Sequence, residues 1–150
     1  MLKGGFDHWK QSHHAALAYI ILCDQFSKVI YKSSAKAYTF DHFAQKLARS
    51  IIHDKSRFAR YRLYERLTIL LPLVNSEYLR DVQLAQATLN ELNIDAENRF
   101  LKDAAEDIYY QCLNSIVKNS EILSKFGRYP QRNEVLGRKN KEMELDYLNR

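Results

Sequence analysis

An all-α fold, a bundle or short stack of antiparallel helical hairpins with about six helices, is what this sequence predicts. Three observations carry that expectation. Apolar residues recur at spacings of three and four along nearly the whole chain. No alternating run bounded by turn residues reads as a strand, and no Pro-, Gly- or Ser-rich linker divides the 150 residues, which include only 4 Gly and 2 Pro. With 46% hydrophobic residues, a chain of this length buries roughly 70% of its unfolded surface as one domain, so it needs neither disulfide nor metal to fold. Short connections make consecutive helices antiparallel neighbours. No clean 34-residue repeat marks a regular solenoid.

The elements follow in order. From Ser12 or His13 to about Tyr31, Leu17, Ile20, Ile21 and Leu22 make the first helix apolar nearly all round, which predicts a central, buried element. Ser34 can cap a second helix to His53, whose face is Phe40, Phe43, Ala44, Leu47, Ala48, Ile51 and Ile52. A third, about Arg57 to Leu71, presents Tyr61, Tyr64, Leu67 and Leu71 and is expected to stop near Pro72, which has no amide hydrogen and clashes with the preceding turn. Asn75 or Ser76 can cap a fourth to about Asn93, with Leu79, Val82, Leu89 and Leu92 inward. Asp95 can cap a long fifth to about Leu123, with the stripe Leu101, Ala104, Ala105, Ile108, Tyr109, Cys112, Leu113, Ile116 and Val117. An irregular segment, Phe126 to Gly137, precedes a short last helix from Asn140 to Leu148.

The net charge of +5 is unevenly spread. Residues 1–75 hold 12 basic and 5 acidic side chains, residues 76–150 hold 11 and 13. Two basic stretches, Asp54 to Arg66 and Lys125 to Lys141, flank an acidic middle from Glu77 to Asp107. Such blocks can steer an anionic partner, although opposed charged faces also simply solvate a helical protein. The interleaved Tyr and Arg of residues 60–66 raise nucleic-acid binding, but Tyr61 and Tyr64 sit at helical core spacing and no nucleic-acid motif accompanies them. The longest apolar run, Ala15 to Cys23, has nine residues, where a membrane span needs about 20. Cys23 and Cys112 lie in apolar stretches with no zinc spacing, reading as buried, reduced thiols, and the first ten residues lack a secretory pattern; a cytoplasmic location is expected. His13 and His14, about 100° apart on a helix, read as a poor metal pair, and no metal or cofactor is expected.

One residue stands out. Asp24 falls three and four positions after Ile21 and Ile20, in a segment otherwise apolar. An unpaired buried carboxylate costs several kcal/mol, a large part of a margin of about 5 to 15. Lys28, one turn on, reaches it only by snorkelling outwards. The richest distant source of donors is the segment of residues 126–138, and a guanidinium fork satisfies both carboxylate oxygens at once. Asp24 with Arg128 or Arg132 is the expected pair, either a buried salt bridge or the floor of a ligand site.

Residues 21–32 (ILCDQFSKVIYK), 75–83 (NSEYLRDVQ) and 126–138 (FGRYPQRNEVLGR) together resemble a bacterial family catalogued as domain of unknown function 924. The resemblance runs from Asp7 to near the end of the chain. It implies an all-helical fold of stacked hairpins, placed in the tetratricopeptide-repeat-like superfamily, and implies no function. Family members usually read DQFPRN where this chain has Ser27, Lys28 and Val29 after Phe26. They read HSE where it has Asn75, Ser76 and Glu77, and PHRN where it has Pro130, Gln131, Arg132 and Asn133. Both histidines of the pattern are therefore missing, and with them any acid, base or ligand role they serve. Relatives also usually carry an aromatic-rich segment ahead of the matched region. This single helical domain, 1–150, is expected to lack it and to leave a face open to self-association or other cover.

The candidate ligand-binding residues are Asp24, Gln25, Arg128, Arg132, Asn133 and Arg138; no catalytic residue is singled out. The leading expectation is a binding or scaffold module for a protein, a peptide or a small anionic ligand, in a groove beside Tyr61, Tyr64 and the basic residues 57–66 or beside the 128–138 arginines. Nucleic acid and a membrane are not expected as partners. The alternative is an enzyme in which Asp24 acts as general base and the arginines clamp an anionic substrate, with Gln25 and Asn133 orienting it. Phe126 and Tyr129 read as anchors of the loop, and Gly127 and Gly137 as positions whose backbone other residues disfavour.

Overall fold

The computed structural model describes residues 7–92 and 99–149, and the side chains of 8–92 and 106–149. Among these residues every regular element is a helix. A 3₁₀ turn, Asp7–Gln11, leads into α1 (His13–Ile21), which passes through a π-turn, Leu22–Phe26, into α2 (Ser27–Ile30). A second 3₁₀ turn, Ala35–Tyr38, precedes α3 (Asp41–His53), followed by α4 (Lys55–Ala59), α5 (Leu63–Val74), α6 (Leu79–Asn90), α7 (Arg99–Phe126), a 3₁₀ turn at Pro130–Arg132, and α8 (Glu142–Leu148).

The centre of the molecule is α5. It packs against α1, α3, α6 and α7 and buries Leu63, Leu67, Ile69, Leu70, Leu73 and Val74. The first helix is not central. Its inward side is Ala16, Tyr19, Ile20 and Cys23, whereas Leu22, Phe26, Val29 and Ile30 are exposed, Val29 by 76%. The reason is compositional: the segment from Ala15 to Ile30 carries apolar residues on every side, and a helix packed on one side shows the rest of its surface whatever lies there.

Three boundaries differ from expectation. Ser34 does cap a helix, accepting the Lys36 amide, but only the short 3₁₀ turn; the α-helix restarts at Asp41. The third helix is two, α4 and α5, because Asp54 caps the first by accepting the Arg57 amide and Glu65 caps the second by accepting the Arg62 amide. Pro72 does not stop α5, which continues to Val74. A proline one turn from a helix end removes only one intrahelical bond, and the Asn75 amide still reaches the Leu71 carbonyl at 3.0 Å. The expected cap Asp95 lies outside the described residues, as does the neighbourhood of Leu101, Ala104 and Ala105; α7 buries Cys112, Ile116, Ile122 and Leu123. Gly127 and Gly137 have φ of 71° and 63°, the left-handed region where a glycine costs least. The Gly127 amide closes α7 on the Leu123 carbonyl at 2.8 Å.

Candidate functional site

The two motif segments, 75–77 and 126–138, are bound to each other. Asn75, Ser76 and Glu77 form the α5–α6 turn, and the loop after α7 lies on it. Arg138 donates to both oxygens of Glu77, at 2.7 and 2.9 Å, and to the Tyr129 carbonyl at 3.0 Å. Glu77 also accepts the Tyr129 amide at 2.8 Å, and the Tyr129 hydroxyl donates to the Ser76 carbonyl at 2.9 Å. Ser76 in turn donates to Asp81, which accepts two bonds from Arg49. Burial pushes the Glu77 carboxyl up, but the Arg138 fork and the Tyr129 amide outweigh it and leave it below its usual range. Burial also raises the Tyr129 phenol to about 12.

A second clasp fixes α8. Arg128 donates to Glu144 from Nε and Nη2, at 2.7 and 2.8 Å; Asn133 adds a bond at 3.0 Å and the Lys141 amide one at 2.8 Å. Glu144 is wholly buried. The hydrogen bonds from Arg128, set against burial and helped by the Lys141 amide, hold its carboxyl at about 2. Three of the six candidates, Arg128, Asn133 and Arg138, are thus occupied in holding the fold. The expected chemistry of a guanidinium fork on a buried carboxylate is present, but on Glu77 and Glu144.

Asp24 does not meet Arg128 or Arg132 in a salt bridge. Its partner is Lys28, whose ammonium also donates to the Asp24 carbonyl at 3.1 Å and to Asp41 at 2.9 Å; Gln25 donates to the same Asp24 carboxylate. The arginines are engaged elsewhere, Arg128 on Glu144 and Arg132 on the Asn75 carbonyl, and Asp24 itself lies on a π-turn. The Ser27 amide bonds the Leu22 carbonyl, five residues back, and the Ser27 hydroxyl takes the Cys23 carbonyl at 2.7 Å. This widened turn is where the resembling family usually has proline, whose missing amide would itself break the regular ladder. Lys28 lies between two carboxylates, one on each side of the 31–40 connection. Burial raises the Asp41 carboxyl, with Lys28 opposing. The pair Asp24 and Lys28 was visible as an i,i+4 spacing; Asp41 had no signal beyond being acidic at a helix start.

Arg132 is placed differently from its motif neighbours. Its guanidinium carbon lies 4.8 Å from the Tyr38 ring centroid and 4.6 Å from that of Tyr129. Among the described residues it donates one hydrogen bond, to the Asn75 carbonyl at 2.9 Å. It lines a cavity of about 340 Å³ with Tyr38, Asn75, Ser115, Lys118, Asn119, Tyr129 and Gln131. A second cavity, about 750 Å³, shares Tyr38 and Gln131 and continues over Ser33, Ser34, Ala35, Glu134 and Val135; a third, about 140 Å³, lies at Lys125, Met143, Asp146 and Tyr147. Asp24 and Gln25 line none of the three. Lys118, Ser115 and Asn119 were not legible as site residues, because one helical turn of polar residues on α7 looks like any solvated face.

Tyr61, expected to line a groove beside residues 57–66, is turned into the core. Tyr61 is buried, stacks on His13 with centroids 3.9 Å apart, and donates to the His13 carbonyl at 3.0 Å. Arg66 covers Phe58 and donates to the Ala59 carbonyl. His13 and His14 are closer to a ligand pair than their helical angle suggests: their rings meet edge to face at 4.8 Å, and Glu65 stands beside them, 3.9 Å from His13 Nε2. Burial lowers the His13 pKa, with Glu65 opposing. Both cysteines are free and buried, their thiols raised to about 11 by burial.

Among known proteins, the model of a family described as "Bacterial protein of unknown function (DUF924)" matches residues 1–150. No curated protein matches the chain significantly. A solved structure, that of the protein of unknown function ATU0120 from Agrobacterium tumefaciens, is similar with a TM-score of 0.76 and 24% identity, covering 95% of this chain and 72% of that one. At that identity the likeness establishes the fold.

Proposed function

The chain belongs to the bacterial DUF924 family of proteins of unknown function, and we propose that it is a non-enzymatic binding module that holds an anionic oxygen group, a phosphate or a carboxylate, in the cavity lined by Arg132. One observation carries the reading: of the four arginine and asparagine residues of the C-terminal motif, Arg128, Asn133 and Arg138 bond buried or half-buried partners in the fold, while Arg132 lies over two tyrosine rings with most of its five donors unused by the described residues. A guanidinium stacked on aromatic rings loses little further freedom on binding, and its planar fork matches two anionic oxygens. Lys118 adds a second positive charge and Ser115 a hydroxyl that can donate, while the Asn119 amide, bonded to the Val74 carbonyl at 2.7 Å, is held at the cavity wall. Asp24 supports binding over catalysis: a carboxylate held by Lys28 and Gln25 and lining none of the three cavities is poorly placed as a general base.

Isothermal titration of inorganic phosphate at low ionic strength tests this reading. Screening is weakest there. Lys118→Ala removes an exposed charge and Arg132→Lys keeps the charge while losing the fork; each is expected to weaken phosphate at least about tenfold. Unchanged affinity in both variants would overturn the reading, as would the absence of phosphate heat in the unaltered protein.

A further inference from the structure

At the other end of the sequence, the start of α1 meets the first turn of α5. His13 and His14 are the first two residues of α1, and Glu65 is the third of α5. One ligand atom from each, imidazole nitrogen or carboxylate oxygen, lies within 4.8 Å of the others. We propose that His13, His14 and Glu65 form a binding site for a late first-row divalent cation, zinc above all, with the remaining position open to water.

Three observations carry the assignment. First, the donors are right for zinc and wrong for harder ions: two imidazoles and one carboxylate are a zinc set, whereas calcium and magnesium want oxygen throughout. Second, the pieces are held in place by the fold. The His13 ring is stacked on buried Tyr61, whose hydroxyl ties down the His13 carbonyl; the Glu65 carboxylate is fixed by the Arg62 amide at 2.8 Å through Oε2. Ligands already held lose less freedom on closing around an ion. Third, the Glu65 charge is under-compensated. The residue is 6% exposed, accepts one hydrogen bond among the described residues, and has its nearest basic nitrogen, His13 Nε2, at 3.9 Å, beyond hydrogen-bond length. A buried carboxylate normally has a cation or several donors.

Ligand atoms of a tetrahedral zinc site stand about 3.3 Å apart, so separations of 3.9 Å between His13 and Glu65 and up to 4.8 Å within the trio close by roughly 0.6 to 1.5 Å, which rotation of the exposed His14 and a smaller shift of His13 towards Glu65 supply. That exposure is also the entry path. Arg57 and Arg60 act electrostatically on His13 and oppose a cation, so the site relies on coordination by nitrogen rather than on field alone, which again selects zinc over calcium or magnesium.

Titration of zinc chloride into protein carrying no polyhistidine tag tests the site, followed by calorimetry. One equivalent is expected to bind, and His14→Ala and Glu65→Gln are each expected to weaken it at least about tenfold, since even groups that only orient a metal ligand cost 10 to 100-fold. Glutamine preserves the helix cap that Glu65 makes, and His14 is exposed, so at least one variant folds. His42→Ala, at an exposed histidine elsewhere, is the control and leaves binding unchanged. The proposal is overturned if zinc does not bind, if both site variants bind as well as the unaltered protein, or if loss appears in His42→Ala.

Discussion

Two carboxylate networks, one in the C-terminal motif and one in the first helix, solve the same problem with different chemistry. Around Glu77 and Glu144, arginine forks and backbone amides come from residues 52 to 61 and 3 to 16 positions away. Around Asp24 and Asp41, a single lysine four positions from one and 13 from the other serves both. The difference follows from what each network has to hold. The 127–141 segment has little regular hydrogen bonding, so its backbone and its position depend on side chains with several fixed donors. The α1–α2 rod already has its ladder, and needs only a cation one turn away, which Lys28 supplies.

The comparison breaks most visibly at Asp81, which anchors the motif turn through Ser76 and Arg49. Asp81→Ala leaves a buried hydroxyl and a guanidinium without their acceptor, and a loss of about 3 kcal/mol is expected in urea unfolding. A loss under about 1 kcal/mol would show that the turn is held by its apolar neighbours instead. Next in size is the exchange of arginine for lysine. Arg138→Lys gives up the fork on Glu77 and the bond to Tyr129, and is expected to cost about 1.5 kcal/mol. Lys28→Arg, in the other network, exchanges a point charge for a fork between carboxylates that already share one donor, and is expected to cost less. Equal losses would erase the distinction between the two regions.

Acid separates them by sign. Glu144 titrates at about 2 in the folded chain against an ordinary 4.5, so the unfolded chain binds more protons in that interval. Its stabilisation is whole above about pH 4.5 and is lost as pH falls towards 2. Asp41, raised by burial from its ordinary 3.8, works the other way. It favours folding below the ordinary value, and that contribution is lost as pH rises through the folded one. Urea midpoints followed from neutral pH into acid should therefore fall less steeply for Glu144→Gln, and more steeply for Asp41→Asn, than for the unaltered chain.

The same contrast explains what the sequence makes legible. All six expected helices are present, because spacing of apolar residues is a local signal; Leu47, Ile51, Leu67, Val82 and Ile116 are buried as their periodicity implies, whereas Leu71, expected inward, is half-buried and its neighbour Leu70 takes the core position. The capping chemistry that splits 55–74 into α4 and α5 was harder to see, since Asp54 and Glu65 read equally well as surface acids. The need of Asp24 for a donor was legible and Lys28 stood at the i,i+4 position, but the distant arginines read as the better donors. Lys28 read as reaching Asp24 only by snorkelling outwards, and the π-turn on which Asp24 sits has no simple sequence signature once serine stands at 27. Pairings such as Arg138 with Glu77, and the meeting of Glu65 with His13, depend on which helices pack together. No spacing within one element encodes them.

The account rests on a division within one motif: Arg138 holds the fold, and the proposed function gives binding to Arg132. Phosphate affinity and urea midpoint, measured together on Arg132→Lys and Arg138→Lys, test that division. The predicted result is a crossed pattern, with Arg132→Lys losing at least about tenfold in affinity and little in midpoint, and Arg138→Lys losing midpoint while its affinity, measured where it remains folded, is kept. Parallel losses in both variants would contradict it.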